Sequence, residues 1–209
     1  MHEKVLSRGS RKLLAKLESL NLTELQGWTL AGDTGLALQM GHRLSEDLDF
    51  FRREVFSTNR LHEILRRVGT VGTLLENERT LTVIVSATKV SFSSVPDKYL
   101  FPGQSYQFFE LADPRDIALM KLAAISGRGS RKDFIDLYTI LRGGLSLEQC
   151  FRWLPEKYGE GRVNTYHVLK SLSYFEDAER EPMPRMLEPF NWAECKAFFV
   201  REAHAIVLQ

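Results

Sequence analysis

The segment Asp47-Leu48-Asp49-Phe50 constrains this chain most, because acidic side chains alternate in it with bulky apolar ones. In an extended strand successive side chains point to opposite faces, so Asp47 and Asp49 would share one face and Leu48 and Phe50 the other. Two carboxylates about 7 Å apart along a strand can hold a divalent cation. The alternative for these residues alone is a half-exposed strand end with two solvated acids.

A glycine-containing turn precedes this strand. Gly32-Asp33-Thr34 follows an apolar run that is typical of a strand and precedes a short helical pattern. The start of a helix presents free N–H groups and the positive end of the helix dipole, which suits a phosphate group. Gly32 would allow the backbone to approach closely, and Thr34 would offer a hydroxyl. The pattern therefore predicts a phosphate site close to the acidic strand.

These segments resemble the nucleotidyltransferases of the AbiEii/AbiGii toxin family, which lies within the DNA polymerase β-like superfamily. That family has a Gly-Gly-Thr or Gly-Ser turn, a helix, a Gly-His-Arg segment and then Ser-x-Asp-Leu-Asp-Phe-Phe, which match residues 32–34, 41–43 and 45–51 here. Residues 113–138 are similar to its later motif, a helical Lys followed by Arg and Lys-Asp-x-x-Asp. Even Ser-Tyr-Phe-Glu-Asp-Ala at 173–178 resembles the family, so the resemblance covers nearly the whole chain.

The resemblance implies an α+β fold, with a polymerase β-like nucleotidyltransferase core of mixed sheet and helices plus a helical C-terminal portion. It implies an enzyme that transfers a nucleoside monophosphate from an NTP to an acceptor and releases pyrophosphate. Asp47 and Asp49 would bind Mg²⁺ or Mn²⁺, since hard oxygen ligands favour these ions. Lys121 would stabilise negative charge, and Asp136 would orient the acceptor or act as a base.

The resemblance also implies a biological context. It predicts a toxin of a toxin–antitoxin or phage-defence system, a separately encoded antitoxin, and tRNA as a candidate acceptor. Two rival hypotheses stay open. One is a noncatalytic nucleotide-binding or partner-binding module on the same fold; the other is a small-molecule nucleotidyltransferase of the antibiotic-modifying type.

Two departures from the family pattern support the noncatalytic rival. Asp33 replaces a Gly or Ser of the turn, where it could repel a triphosphate, cap the following helix or add a metal ligand; the capping role is favoured. Polymerase β-like enzymes usually place a third carboxylate on a neighbouring strand, but the strands predicted for residues 80–86 and 88–93 contain no acid. The face opposite their apolar one carries three other polar side chains: Lys89, Ser91 and Ser93.

Two residues after the short helix have competing interpretations. Arg43 could contact the triphosphate, or it could form an ion pair with Glu46 or Asp47. For His42 a structural role is favoured, because the five histidines and two cysteines are scattered and form no zinc pattern.

Lys121 and Asp136 fall in two consecutive predicted helices. The first begins at Pro114, and in it Lys121 either serves a nucleotide or is an ordinary surface lysine. The second follows Ser130 and ends at Gly143; Asp136 falls off its apolar stripe, so it would face either solvent or a cleft. Asp133 is interpreted as a structural partner of Arg128 or Lys132.

Composition and charge restrict the class of protein, its partners and its location further. The chain has 209 residues, 44% of them hydrophobic, which is enough for a substantial core. A formal net charge of +1 argues against indiscriminate nucleic-acid binding, although residues 121–136 are locally basic. With no signal-peptide pattern, membrane span or disulfide framework, we expect a cytoplasmic protein. A nucleotidyltransferase core of residues 1–144 and a helical portion of residues 145–209 are predicted, packed together or as one continuous domain.

Overall fold

The computed structural model describes residues 1–207, and these divide into two compact units. Residues 1–97 and 102–113 form a sheet unit, whereas residues 98–101 and those from 114 onward form a helical unit. This division differs from the predicted boundary at residue 144. The helices Pro114–Arg128 and Arg131–Arg142 belong with the later helices because they pack directly against them.

The sheet unit is built on one mixed seven-stranded sheet in the order β3-β4-β5-β2-β1-β7-β6. Strand β2 runs parallel to β5, β1 runs parallel to β7, and the other neighbours are antiparallel. The strands are β1 (Thr29–Leu30), β2 (Leu48–Arg52), β3 (Val71–Asn77), β4 (Thr80–Val85), β5 (Thr88–Ser94), β6 (Gln104–Tyr106) and β7 (Phe109–Leu111).

Three α-helices accompany this sheet: α1 (Arg8–Ser19), α2 (Gly32–Met40) and α3 (Thr58–Val68), with 3-10 turns at Glu3–Val5 and Thr23–Leu25. Helices α1 and α3 pack on each other and on β4 and β5. Their leucines join the inward side chains of the sheet in one apolar core, in which Phe50 and Phe92 stack with ring centroids 5.3 Å apart. The other side of β4 and β5 carries Thr82, Ile84, Lys89 and Ser91, which are partly or fully exposed.

Most elements of the sheet unit follow local sequence signals. The predicted helix over 58–68 is confirmed. The first helix, predicted for residues 11–22, lies earlier because the Ser7 hydroxyl accepts a hydrogen bond from the Ser10 amide and so begins the helix at Arg8. Strand β3 was not predicted, since almost all of its side chains are exposed and no apolar alternation marks it.

The helical unit contains α4 (Pro114–Arg128), α5 (Arg131–Arg142), α6 (Leu147–Tyr158), α7 (Thr165–Ser171), α8 (Glu176–Arg180) and α9 (Trp192–Ala205). Helix α4 packs on α5, α6 and α7, while α5 also packs on α8 and α9. The predicted caps at Ser146 and Asn191 are confirmed, the former as a capping box with Gln149. Among the described helices, none combines the length and apolar character that a membrane crossing demands.

Residues 98–101 are fixed to the helical unit by a buried carboxylate. Asp116, at the start of α4, accepts hydrogen bonds from the amides of Leu100 and Phe101 and lies 2.7 Å from the Lys157 ammonium. Lys157 also donates to the carbonyl of Lys98. These bonds explain why this short segment belongs to the helical unit although the chain then returns to the sheet.

Candidate active site

The acidic strand has the predicted alternation. Asp47 directly precedes β2, and Leu48 and Phe50 are completely buried in the core. Asp49 is partly buried, whereas the Asp47 side chain is 45% exposed. One face of this central strand is therefore acidic, and the buried side chains of Leu48 and Phe50 on its other face fix its position.

Burial raises the pKa of the Asp49 carboxyl, and the nearby carboxylates of Asp33 and Asp47 raise it further. The charge of Lys89 and a hydrogen bond from Ser91 act in the opposite direction, but they do not offset the increase. Three acidic groups thus concentrate negative potential around Asp49. A bound cation would relieve this repulsion, which is the electrostatic signature expected of a metal site.

Strand β5 supplies the neighbours of these acids on the exposed face. Asp49 is paired with Ser91 in the parallel β2–β5 register, and the Lys89 ammonium lies 3.1 Å from Oδ2 of Asp47. Ser91 in turn accepts a hydrogen bond of 3.3 Å from the Thr82 hydroxyl on β4. As the sequence predicted, β5 offers a lysine and serines at this face and no third carboxylate.

The glycine turn is the first turn of α2, because the helix already begins at Gly32. Gly32 has a φ of +62°, and a Cβ at this position would lie 3.8 Å from Oδ2 of Asp49. The first N–H groups of a helix have no partner within the helix, so they are free to bind an anion. The structure thus brings the start of α2 and the Asp49 carboxylate side by side.

Thr34 has a different role from the expected one. Its hydroxyl is completely buried, donates to the backbone carbonyl of Asp47 and lies 2.6 Å from the Ser45 hydroxyl. It therefore connects α2 to the residue just before the acidic strand, whereas the sequence predicted that it would face a phosphate. A threonine at this position fixes Asp47 relative to the helix start.

Asp33 does not cap α2, so the favoured sequence interpretation is wrong. The cap position is Ala31, which makes no side-chain cap bond, and Asp33 lies in the first helical turn. Its carboxylate is 3.1 Å from Nη2 of Arg43, whose side chain is only 1% exposed and also donates to the Leu44 carbonyl. The sequence left two roles open for Arg43, a contact with the triphosphate or an ion pair with Glu46 or Asp47, and did not name Asp33. Arg43 reaches Asp33 because the αL residue Gly41 turns the chain back after the helix.

The second predicted group forms a closed network within the helical unit. The Lys121 ammonium lies 2.9 Å from Asp133 and 2.7 Å from Asp136, and all three side chains are at most 3% exposed. Arg128 donates two hydrogen bonds to Asp133, at 2.8 and 3.0 Å, so the structural interpretation of Asp133 is confirmed. The sequence left Asp136 facing either solvent or a cleft, and the structure buries it completely: α5 is covered by α4 and by α8 and α9, which bury residues outside its apolar stripe.

Replacing Lys121 by methionine should strongly destabilise the helical unit. The variant would leave Asp133 and Asp136 buried side by side, and removing one partner from a buried ion pair costs about 3–5 kcal/mol. Thermal unfolding followed by circular dichroism would measure this loss. Lys132→Met, at an exposed position of the neighbouring helix α5, is the control and should change little. A Lys121→Met protein as stable as the wild type would contradict a structural role for the network.

The acidic groups suit a magnesium ion that is shared with a substrate. Within residues 1–207 there is no group of three or more His, Cys, Asp or Glu side chains placed to hold a metal ion by themselves. Mg²⁺ is usually held by one or two carboxylates together with waters and substrate phosphates, and not by an all-protein cage. Asp47 and Asp49 beside the start of a helix fit that requirement.

Comparison with known proteins agrees with this geometry. Residues 17–111 match the family model described as "Nucleotidyl transferase AbiEii toxin, Type IV TA system". An uncharacterized protein of Aquifex aeolicus (strain VF5), aq_aa25, is 33% identical over 207 residues, which span 94% of this chain and 95% of that protein. The sequence similarity therefore extends through both units.

Solved structures show the same fold at low sequence identity. MenT4, the nucleotidyltransferase toxin Rv2826c of Mycobacterium tuberculosis H37Rv, gives a TM-score of 0.55 at 15% identity, over 93% of this chain and 80% of that chain. JHP933 from Helicobacter pylori gives a TM-score of 0.54 at 15% identity, over 98% of this chain and 89% of that chain. The predicted polymerase β-like α+β fold is confirmed, and the chain belongs to the AbiEii toxin family and is a nucleotidyltransferase.

Proposed function

We propose that this enzyme transfers a nucleoside monophosphate from an NTP to a hydroxyl group of an RNA acceptor in a Mg²⁺-dependent reaction. The observation that carries the proposal is the adjacency of the start of α2 to Asp49. The N–H groups and the positive dipole end at a helix start favour a phosphate chain, and the acids beside it favour the divalent ion that accompanies such a chain. A donor bound there would have its α-phosphate next to the acidic strand.

In the proposed reaction the acceptor oxygen attacks the α-phosphorus, the bond to the bridging oxygen of the β-phosphate breaks, and pyrophosphate leaves. Asp47 and Asp49 would hold Mg²⁺, which would supply the charge stabilisation that phosphoryl-type transfer requires. Thr34 positions Asp47 through its backbone carbonyl. Gly32 and the other residues of the first turn of α2 would bind the phosphates, and Arg43 would offset the negative charge of Asp33 beside them.

Lys121 and Asp136 enter this proposal through the family resemblance. It assigns charge stabilisation to Lys121 and acceptor orientation, or acceptance of the hydroxyl proton, to Asp136. The ion pair between them, at 2.7 Å, means that the two groups act as one unit whose charge and orientation depend on both. The same resemblance supports tRNA as the candidate acceptor, a toxin role in the cytoplasm within a toxin–antitoxin or phage-defence system, and a separately encoded antitoxin.

Incubation of the purified protein with each α-labelled NTP, Mg²⁺ and total cellular RNA, followed by gel separation, tests this function. Label on a discrete RNA band is expected with the wild type and not with an Asp47→Ala/Asp49→Ala variant. Replacing Mg²⁺ by Mn²⁺ or adding EDTA tests the metal requirement in the same assay. Label transferred equally well by the variant would contradict the metal site.

The noncatalytic rival rests on two observations, the missing acid on β5 and the presence of Asp33 in the helix start. It predicts Mg²⁺-dependent NTP binding with no label on any RNA and no release of pyrophosphate. The small-molecule rival predicts pyrophosphate release only when a hydroxylated small molecule is added. Measuring pyrophosphate beside the labelled RNA therefore separates the three hypotheses.

A further inference from the structure

The face of the sheet that bears Asp49 continues outward across three more strands. Asp49 is paired with Ser91 on β5, Ser91 with Thr82 on β4, and Thr82 with Leu75 on β3. Paired residues of neighbouring strands lie on the same face of a sheet. One continuous surface therefore runs from the acidic strand to the outer edge of the sheet, over three strand spacings or about 14 Å.

This surface is open, and it collects apolar side chains beside a lysine. Ile84, which is paired with Lys89, is 39% exposed, and Leu75 is 52% exposed. The Lys89 side chain is 45% exposed. On the opposite face of β4 and β5, the side chains are buried against the core, as in Val83 and Val90. Exposed apolar side chains on the same sheet face as the acidic strand indicate a binding surface.

The geometry of the transfer reaction indicates which substrate would lie on the β5 side of Asp49. Strand β1 pairs with β2 on the side away from β5, and the chain runs from β1 directly into α2. The start of α2 therefore approaches Asp49 from the side opposite β5. In an in-line displacement the attacking and leaving oxygens lie on opposite sides of the phosphorus. If pyrophosphate leaves beside α2, the attacking hydroxyl has to arrive from the side of β5.

We propose that the exposed surface formed by Leu75, Thr82, Ile84, Lys89 and Ser91, here called the acceptor face, binds the single-stranded end of the RNA acceptor. This inference rests on the proposed function and adds to it the place and the form of the acceptor. Flat nucleobases pack on Leu75 and Ile84, and the Lys89 ammonium binds a backbone phosphate. The hydroxyls of Thr82 and Ser91 are suited to ribose 2′-hydroxyls, which only RNA carries.

Lys89 is available for this role despite its contact with Asp47. Both side chains are 45% exposed, and an exposed ion pair of this kind contributes only about 0–1 kcal/mol. A cation bound by Asp47 would replace the ammonium as the partner of that carboxylate. Lys89 would then be free to turn toward the phosphate of a strand lying across β5.

The inference is tested by fluorescence anisotropy with a labelled single-stranded RNA oligonucleotide, in Mg²⁺ and without NTP, so that no turnover is needed. The double variant Leu75→Thr/Ile84→Thr replaces both apolar side chains by threonine, which strands tolerate well. It should weaken RNA binding about tenfold, which corresponds to about 1.4 kcal/mol. Lys89→Gln should lower the slope of log K against log salt concentration by about 0.7, the value for one phosphate contact on a single strand.

The controls are exposed positions elsewhere on the sheet unit. Lys12→Gln lies on α1, and Val55→Thr lies after β2, where the side chain is 66% exposed. Neither should alter the affinity or the salt slope. Circular dichroism melts establish that every variant is folded.

The possible outcomes distinguish a failure of this inference from a failure of the proposed nucleotidyl transfer. If the wild type labels RNA but the acceptor-face variants bind the oligonucleotide as well as the controls do, the inference is wrong and the function stands. If the variants instead change the sedimentation behaviour of the protein and leave RNA binding intact, the surface is a protein interface and the inference is also wrong. Absence of nucleotidyl transfer in the wild type overturns the function, whatever the oligonucleotide shows.

Discussion

Replacing Asp49 by asparagine is expected to stabilise the metal-free protein and at the same time to abolish nucleotidyl transfer. Asp49 is partly buried beside two other carboxylates, and this environment disfavours its ionised form. Asparagine has nearly the same shape and removes the repulsion. A gain of about 1 kcal/mol raises the Tm of a chain of this size by roughly 2–4 °C, and a change of that order is expected in EDTA.

The stabilisation should depend on pH in a defined direction. Because the pKa of Asp49 is raised above its ordinary value of 3.8, the folded chain binds a proton at this group more readily than the unfolded chain does. The free energy of unfolding therefore falls as pH rises from that value through the folded-state pKa, and the full penalty persists above it. The Tm difference between Asp49→Asn and the wild type should be small in acid, grow with pH and then become constant.

Magnesium should reverse the order of stability. A cation that binds the folded state through Asp47 and Asp49 raises the Tm of the wild type, and Asp49→Asn should show little of this increase. Glu46→Gln, an exposed acid one residue before Asp47, is the control and should behave as the wild type in every assay. A lower Tm for Asp49→Asn in EDTA, or an equal increase of both proteins with Mg²⁺, would show that the carboxylates do not form a strained metal site.

The sequence predicted the parts of this site that depend on local periodicity. The alternation from Asp47 to Phe50 has a period of two residues, and burial of Leu48 and Phe50 then determines where the acids point. The helix over 58–68 and the capping box at Ser146 are equally local signals. Such patterns hold because the competing arrangement would expose a whole apolar face.

Partners that are distant in sequence were not predictable in the same way. Arg43 pairs with Asp33 across the turn after α2, and Lys121 reaches both Asp133 and Asp136 across two helices. Several acids were available to each of these cations, and only the packing of the elements selects among them. Strand β3 was missed for a related reason: its exposed residues carry no buried face that could be read as a pattern.

Replacing Arg43 by methionine is expected to weaken NTP binding through Asp33. The Arg43 guanidinium is buried 3.1 Å from the Asp33 carboxylate, which lies in the first turn of the helix proposed to bind phosphates. Without the charge of Arg43, that carboxylate should repel the triphosphate more strongly. We expect KM for NTP to rise about tenfold or more, which corresponds to about 1.4 kcal/mol or more, with a smaller change in kcat.

The Arg43→Met variant should also be less stable than the wild type, but by a limited amount. Breaking a fully buried ion pair costs about 3–5 kcal/mol. The Asp33 side chain is 22% exposed, so water screens its charge and the loss should be below that range. Arg43→Lys keeps the charge without the fork of donors, and it should retain more NTP affinity than Arg43→Met retains.

The double variant Asp33→Asn/Arg43→Met decides whether Arg43 acts through Asp33 or directly on the nucleotide. If Arg43 serves to neutralise Asp33, removing both charges should restore much of the NTP affinity lost in Arg43→Met, and the two changes will be strongly non-additive in a double-mutant cycle. If Arg43 contacts the triphosphate itself, the double variant will bind NTP as poorly as Arg43→Met. Recovery would also explain why this chain tolerates an acid where its family has glycine or serine: the acid and the arginine form a neutral pair, so the helix start keeps its affinity for anions.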